Sequence, residues 1–472
     1  MPQTQAASSA QLSIILEHTP DNSWHKPGDT ITGRVHRTAA GVAPEARVTV
    51  SLHGRSKTKL QIRRGQNTHT YRSSFNTLSA RAASQAQVLA AGAPLHIPSG
   101  SQGESWRFAL TIPPLVHDVR DKWQRKYFSS PGGVHDEPFP PPGTFFWDGD
   151  NWFTGKKGHG FTEYYVQATI QLVHQHKGRT VRDEHVAIAP FPLRNVYPGL
   201  PISDFGMKSW MCQRTVTAYR LVPGAGDGDG KLSFGQKTRQ MFGSSKVPRL
   251  TFALALTLPQ FLQVGNGGII PVNMKIEPVT MSGLTSEDIY DIPQDVVIRS
   301  FSLRVKSRTA IQAERHGLDR SSGEVKLLPA GAVGLLRQDL SISVTPVATS
   351  GSKPGGTGGE INLGETLGIR VPEKGLHEDL VAYNIVRSHE LVWEVEGVVA
   401  GESFKLGSSQ VVRVLPGPEM VGVPVPVPVP GPVVSQGQSD GGELPGYSDA
   451  TASGSQVPEV PPEKEAPPAY KG

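Results

Sequence analysis

The segment "RLTFALALTLP" (Arg249–Pro259) places apolar residues at every second position. Its large apolar side chains are those of Leu250, Phe252, Leu254, Leu256 and Leu258. A period of two is typical of a β-strand with one buried face, because successive side chains point to opposite sides of a sheet. The alternation and the proline at 259 indicate a strand and not a membrane span.

The same alternation recurs through most of the chain. It is found in "RVTVSLH" (Arg47–His53), "SWRFALTIP" (Ser105–Pro113), "YYVQATIQL" (Tyr164–Leu172), "FSLRVKS" (Phe301–Ser307), "ETLGIRV" (Glu365–Val371) and "ELVWEVEG" (Glu390–Gly397). One stretch, Ala83–Ala91, has the pattern of a short helix. Many short strands separated by turns predict an all-β protein with two tandem antiparallel immunoglobulin-like β-sandwiches.

Composition shifts divide the chain into four parts. We predict a disordered N-terminus at 1–11, a first sandwich at 12–195, a second at 196–415 and a disordered Pro-rich tail at 416–472. The boundary between the sandwiches falls in "PLRNVYPGLP" (Pro192–Pro201), an extended connector after a strand. The tail contains "VPVPVPVPGP" (423–432), which favours an extended polyproline-type chain, and its remaining residues are too polar to form a core.

Two stretches within the sandwiches are predicted to be long loops. His117–Gly160 is rich in aromatic residues and proline, and Val222–Lys246 is rich in glycine and charge. Loops of this length are usually either functional or disordered.

Composition also indicates a cytosolic protein. Cys212 is the single cysteine, so no internal disulfide forms, and the N-terminal residues do not have the pattern of a signal peptide. Residues 416–472 contain seven acidic and two basic residues, a formal charge of −5, whereas the body has 45 basic and 35 acidic residues, a charge of +10. A basic body favours anionic partners such as acidic or phosphorylated peptides or the inner membrane leaflet, although its charge could equally serve solubility alone.

Several motifs resemble the arrestin family, in the order in which that family has them. "KPGDTITGRVHR" (Lys26–Arg37) resembles the first turn and strand of arrestin N-domains, and "RVTVSLHGRSKTKL" the strand that follows in fungal arrestin-like proteins. "GESWRFALTIP" and "PFPPPGTFF…GFTEYYVQATIQ" are similar to later N-domain segments, with Phe139 and Gly143 in place of a leucine and a serine. "LTFALALTLPQFLQVGNGGIIPVNMKIEP" looks like the opening hairpin of a C-domain.

The resemblance covers roughly Leu12–Leu415 and implies two sandwiches set end to end, as in α-arrestin-like trafficking adaptors. Its first turn is physically consistent: Pro27 presets φ, Gly28 allows a positive φ, and Asp29 can bond to nearby backbone. Gly33 alternates with Ile31 and Val35 on an inner face, where a missing side chain permits close sheet approach or a bulge. The first strand lacks the basic pair that senses phosphate in receptor-desensitising arrestins. We therefore do not expect phosphate-triggered activation in this protein.

The tail contains two motifs of the kind that WW domains bind. They comprise Pro467, Pro468 and Tyr470 of "PPAY", and Leu444, Pro445 and Tyr447 of "LPGY". In an extended chain with three residues per turn, a proline and a tyrosine three positions apart lie on the same edge, which an aromatic-lined groove can clasp. "LPGY" is the weaker motif because leucine replaces the first proline. Lys464 and Lys471 flank "PPAY" and could accept ubiquitin, or could be solubilising charges.

Other charged motifs each allow a functional and a structural interpretation. Arg55, Lys57, Lys59, Arg63, Arg64 and Arg72 could contact an anion or cargo, or form a solvated strand face. "GAGDGDGK" (Gly224–Lys231) does not have the residues of a phosphate loop or an EF-hand and is better interpreted as a linker. His174 and His176 could chelate zinc, but a polar strand face explains them better. No catalytic constellation, cofactor or nucleic-acid partner is predicted.

The resulting hypothesis is a non-enzymatic adaptor. The body would recognise a transporter or receptor at the plasma membrane or endosomes, with anionic lipid as a further candidate partner, and the tail would recruit a HECT-type ubiquitin ligase. An alternative is a signalling or sorting scaffold that binds a non-ligase WW-domain protein. A metal-dependent enzyme that uses the histidine-bearing strand is the third hypothesis.

Overall fold

A computed structural model of the chain describes residues 5–17, 24–78, 86–118, 137–151, 153–176, 179–225, 233–242, 246–281, 283–329, 340–347 and 356–419. The described part is an all-β structure, as predicted. The first half contains β1 (Ser13–Leu16), β2 (Thr30–Arg37), β3 (Gly41–Arg64), β4 (Asn67–Asn76), β5 (Ala86–Ile97), β6 (Glu104–Thr111), β7 (Phe145–Asn151), β8 (Lys156–His176) and β9 (Arg179–Phe191).

The second half contains twelve strands and a few short helices among its described residues. The strands are β10 (Lys208–Thr217), β11 (Arg249–Leu258), β12 (Phe261–Gln263), β13 (Asn273–Pro278), β14 (Gln294–Ala313), β15 (His316–Lys326), β16 (Leu340–Pro346), β17 (Gly356–Thr357), β18 (Gly359–Asn362), β19 (Leu380–Val381), β20 (Ile385–Val399) and β21 (Glu402–Leu415). The helices are α1 (Phe234–Met241), α2 (Leu363–Leu367) and two 3₁₀ turns, Tyr219–Leu221 and Glu287–Ile289.

The strands of each half form two sheets. In the first half, β1-β2-β6 forms one sheet, and β4-β3-β8-β7 forms the other, with β5 paired to β3 and β9 to β8. In the second half, β10-β11-β13-β18 packs opposite β12-β21-β20-β14-β16-β17, to which β15 and β19 also pair. All described strand pairs are antiparallel except β12 with β21.

Alternating side chains fill the space between the sheets. In the first sandwich, Val48 and Val50 of β3 and Val166 of β8 are fully buried and share a core with Ile31 of β2 and Leu110 of β6. The second core includes Leu250, Phe252, Leu254, Leu256 and Leu258, the residues that alternate in the opening segment, together with Trp393 of β20. Burial of the apolar face of each strand therefore holds the two sheets of each sandwich together, as the period of two predicts.

The predicted first turn is confirmed in detail. Gly28 has φ = +95°, and the Asp29 carboxylate accepts a hydrogen bond of 2.9 Å from the Lys26 amide. A Cβ on Gly33 would lie 2.6 Å from the Ile15 carbonyl oxygen and 2.8 Å from the Phe108 ring. Only glycine therefore permits this packing of β2.

A third apolar cluster joins the two sandwiches, which belong to one compact unit, Met1–Met420. Leu60 of β3 and Trp147 of β7 pack there against Ile311 of β14 and Ile385 of β20. Beside it, the Thr58 hydroxyl donates to the Gln312 carbonyl at 2.6 Å, and the Asn384 side chain bonds to both Ser56 and Thr58. This junction therefore combines apolar packing with buried hydrogen bonds between the two sandwiches.

Two predictions of secondary structure were wrong. Residues 86–91, inside the predicted helix Ala83–Ala91, belong to β5, because pairing with β3 overrides the helical preference of alanine. "ETLGIRV" was predicted to be a strand, but its first residues are in α2. The Asn362 side chain caps that helix, and Gly368 ends it in the left-handed conformation.

The two predicted long loops also contain regular structure. β7 and the start of β8 form a hairpin inside His117–Gly160, with Phe145 and Trp147 buried by the alternation that proline and glycine obscure. Val222–Lys246 contains α1, which begins with a capping box between Ser233 and Gln236.

Both predicted chain ends were placed too far into the body. Ala7, in the predicted disordered N-terminus, exchanges two 3.0 Å backbone hydrogen bonds with Ile188 of β9. The tail boundary at 416 is early, because Tyr197 exchanges backbone hydrogen bonds with Gly417 and Glu419, and Lys26 forms an ion pair with Glu419.

Candidate functional site

A groove of about 560 Å³ lies on the face of β3 that points away from the first core. Even-numbered residues of β3, such as Ser56 and Thr58, are buried, and the odd-numbered residues between them are half-exposed. The groove is lined by Arg55, Lys57, Thr58, Lys59, Arg72, Ser73, Ser74, His159 and Phe161. Most of the basic cluster suggested by the sequence therefore borders one concave surface.

Strand register brings these side chains together from three strands. Lys59 lies opposite Arg72 of β4 on one side and opposite His159 of β8 on the other. Lys57 lies opposite Ser74 of β4 in the next row. Directly opposed residues in an antiparallel pair lie about 5 Å apart, so three cations and a histidine occupy two adjacent rows.

Arg55 is the least available of the cations that line the groove. Its guanidinium Nε donates to the buried carboxylate of Glu163 at 2.5 Å, and its Cζ lies 5.2 Å from the centre of the Tyr165 ring. The charge of Arg55 is therefore used in holding β3 against β8. Arg55 borders the groove as a structural residue, whereas its neighbour Lys57 has no carboxylate partner in the part of the chain that the structure describes.

Lys57, Lys59 and Arg72 have no carboxylate partner among the residues that the structure describes. Partial burial lowers the pKa of Lys57, the positive charge of Arg55 lowers it further, and Glu163 opposes the change. Cations that repel one another in a partly desolvated groove create a positive potential. An anion bound there would relieve the repulsion.

His159 is placed where it can add to this potential. Burial lowers its pKa, as do the charges of Lys59 and Lys157, whereas Asp148 favours the protonated ring. Nδ1 lies 4.0 Å from the Asp148 carboxylate, and the buried Nε2 has no hydrogen-bond partner within the described residues. The His159 ring therefore adds positive charge to the groove only when it is protonated, and a bound anion would favour that protonation.

Two members of the predicted cluster lie elsewhere. Arg63 and Arg64 are exposed at the end of β3; the Arg63 side chain bonds to the Gly65 carbonyl at 3.2 Å, and neither residue lines the groove. His159, Ser73 and Ser74 were not predicted as site residues, because their positions on β4 and β8 become neighbours of Lys57 and Lys59 only through the register.

The groove has the chemistry of an anion-binding surface. Lysine and arginine provide charge, the hydroxyls of Ser73 and Ser74 add polar groups, and Phe161 is a buried apolar residue in its lining. Phosphate and carboxylate groups are the anions that such side chains bind in proteins.

The tail motifs lie outside the described residues. This applies to Leu444, Pro445 and Tyr447, to Pro467, Pro468 and Tyr470, and to Lys464 and Lys471. Most of "GAGDGDGK" is also outside them.

The suggested zinc site gains no support from the described residues. His174 has its Nδ1 3.7 Å from the Asp183 carboxylate, which suits a polar strand face. No group of three or more His, Cys, Asp or Glu side chains in the described ranges is arranged to hold a metal ion.

Comparison with known proteins does not assign the chain to a family. No protein family model matches the sequence, and no curated protein matches it significantly. Within the described residues, none of the helices has the length and apolar character needed to cross a bilayer.

Proposed function

We propose that this protein is an α-arrestin-like adaptor that recruits a HECT-type ubiquitin ligase to a plasma-membrane cargo and thereby promotes its ubiquitination and endocytosis. The observation that carries the proposal is "PPAY" (Pro467–Tyr470), which follows a body of two sandwiches in which the last described residue is Glu419. The body selects the cargo, and the tail delivers the ligase. The protein performs no chemistry of its own in this scheme.

The spacing of the two tail motifs in the sequence supports recruitment of a protein with several WW domains. Tyr447 and Tyr470 are 23 residues apart in the sequence, a separation that corresponds to about 27 Å in a flexible chain. Two WW domains of one ligase could therefore engage both motifs at once. Linked binding raises avidity well above that of either site, because the second contact forms at a high effective concentration.

The groove supports the cargo half of the proposal. Lys57, Lys59 and Arg72 present positive charge that has no carboxylate partner within the described residues. Cytosolic tails of membrane proteins that carry phosphoserine or runs of acidic residues have the complementary charge. We assign the groove to recognition of such a cargo segment.

The test of recruitment uses the full chain and a purified tandem of ligase WW domains. Tyr470→Ala should weaken binding by about tenfold, and Tyr470→Ala with Tyr447→Ala should abolish it, since a buried aromatic anchor is lost at each site. Pro428→Ala is the matched control: it changes a proline of "VPVPVPVP" that has no tyrosine three residues later, and should leave binding unchanged.

Affinity capture from cells then separates the proposal from a scaffold role. HECT-type ligase peptides that disappear with the double tyrosine variant support the adaptor. Full binding by the double variant, or capture of WW-domain proteins without any ligase, contradicts it.

A further inference from the structure

Among its described side chains, helix α1 turns amide groups toward the body and aromatic rings toward solvent. Gln236 and Gln240 face the body, and the two phenylalanines at its ends face solvent, with Phe234 86 % exposed and Phe242 79 % exposed. A surface helix usually packs its apolar residues inward and exposes its polar ones. Large aromatic side chains that are this exposed carry a cost in water, so a partner for this face is expected.

The inward contacts of α1 show that this orientation is fixed by specific bonds. The Gln236 side chain donates to the Ala225 carbonyl at 2.7 Å. Gln240 accepts from the Tyr219 amide at 3.3 Å and donates to the Glu402 carboxylate at 2.6 Å. Because these bonds hold the polar side against the second sandwich, the phenylalanines cannot turn inward without breaking them.

Charge on the outer side identifies the kind of partner. Lys237 and Arg239 are exposed between the two phenylalanines, and no acidic residue occurs from Ser233 to Phe242. Exposed aromatic rings among lysine and arginine fit the interface of an anionic bilayer.

We propose that α1 is a membrane-interface anchor that binds anionic phospholipid. Phe234 and Phe242 enter the boundary between head groups and acyl chains, while Lys237 and Arg239 contact the phosphate and carboxylate groups of the lipids. The anchor does not depend on the tail motifs, so it can be tested independently of ligase recruitment.

This anchor is remote from the cationic groove. Gln294, at the start of β14, bonds to the Leu221 carbonyl near the base of α1, and Ile311, near the end of β14, is in the junction with the first sandwich. The strand between them spans about 55 Å at its usual rise per residue. Lipid binding at α1 and anion binding at the groove are therefore separable by mutation.

The test is co-sedimentation of the full chain with vesicles of phosphatidylcholine alone or with about one-third phosphatidylserine. We expect binding to the anionic vesicles, and a loss of about tenfold or more for Phe234→Ser with Phe242→Ser, and likewise for Lys237→Glu with Arg239→Glu. Phe234→Trp with Phe242→Trp should retain binding. Thermal unfolding should be unchanged in all these variants, because the substituted side chains are exposed.

Matched controls exclude non-specific effects. Val42→Ser removes an apolar side chain of comparable exposure, 71 %, from the first sandwich, and Lys57→Glu with Lys59→Glu reverses charge in the groove. Both should bind the vesicles like the wild type. Absence of binding to anionic vesicles, full binding by the Phe234→Ser and Phe242→Ser variant, or loss of binding in the groove variant alone would overturn the proposal. The first outcome would assign the exposed face to a protein partner.

Discussion

The two faces of β3 between Ser56 and Ile62 are built from neighbouring residues, yet they have opposite physical characters. On one face Leu60 is fully buried against the second sandwich, and Ser56 and Thr58 are satisfied by Asn384. On the other face Lys57 and Lys59 have partial exposure and no carboxylate partner within the described chain. The comparison shows that alternate residues of one strand can form a packed face and a cationic face.

The face toward the junction should respond most strongly to substitution. Leu60→Ala removes a fully buried side chain from the cluster with Ile311 and Ile385, and should lower the free energy of unfolding by about 2–5 kcal/mol. Urea unfolding followed by tryptophan fluorescence measures this change. Lys59→Ala, one residue away on the other face, is the control and should change stability by less than about 0.5 kcal/mol. Similar losses in both variants would show that the faces do not differ as described.

The polar part of the junction should give a smaller effect. Asn384→Ala leaves the buried Ser56 and Thr58 hydroxyls without this partner, and should cost about 1–3 kcal/mol. Ser56→Ala should then cost less in the Asn384→Ala background than in the wild type, because its bond to Asn384 is already absent. Unfolding free energies of the four proteins in this cycle provide the measurement. Additive losses would mean that the two side chains do not interact.

Reversing charge on the groove face should weaken anion binding and leave the free energy of unfolding unchanged. Lys57→Glu with Lys59→Glu should weaken binding of a doubly phosphorylated peptide by about tenfold or more, since two charge-assisted contacts are replaced by repulsion. Arg63→Glu with Arg64→Glu makes the same change in net charge outside the groove and is the matched control. Fluorescence anisotropy with a labelled peptide measures both. If both variants weakened peptide binding equally, the effect would come from the net charge of the protein and not from a defined site in the groove.

The contrast between the faces also shows how far the sequence could predict the molecule. Alternation within one segment requires only local information, so the buried positions of β3, β8 and β11 were predicted correctly. The groove depends on which strands are neighbours: Lys59 and His159 are 100 residues apart and meet only because β3 pairs with β8. The basic residues were visible in the sequence, but their histidine and serine neighbours were not.

Local signals that compete with a period of two explain the errors in secondary structure. Asn362 and Gly368 bracket α2, and a capping box at Ser233 and Gln236 starts α1, yet both signals are short and lie in segments dominated by strands or glycine. The orientation of α1 could not be predicted, because it depends on tertiary hydrogen bonds from Gln236 and Gln240. Propensity indicates that a helix forms, and only packing decides which side is exposed.

The smallest predicted effect on the groove face is a pH dependence that originates at His159. Burial and the charges of Lys59 and Lys157 lower its pKa, so in the free protein the ring is neutral at pH 7 and resists protonation below its ordinary value of 6.5. The unfolded chain binds this proton more readily than the folded protein does. The folded protein therefore loses stability as the pH falls from 6.5 through the lowered pKa of His159. A bound anion favours the charged ring and raises that pKa, so affinity should increase as the pH falls.

A sulfated peptide is the suitable probe, because its charge stays constant over this range. Between about pH 7.5 and about pH 5.5 we expect the wild type to bind it about threefold more tightly, whereas His159→Gln, which stays neutral, should show a flat profile. The same variant should lose less thermal stability on acidification than the wild type, since it lacks the ring whose protonation opposes folding. Identical profiles for the two proteins would remove His159 from the anion-binding surface and leave Lys57, Lys59 and Arg72 as its charged groups.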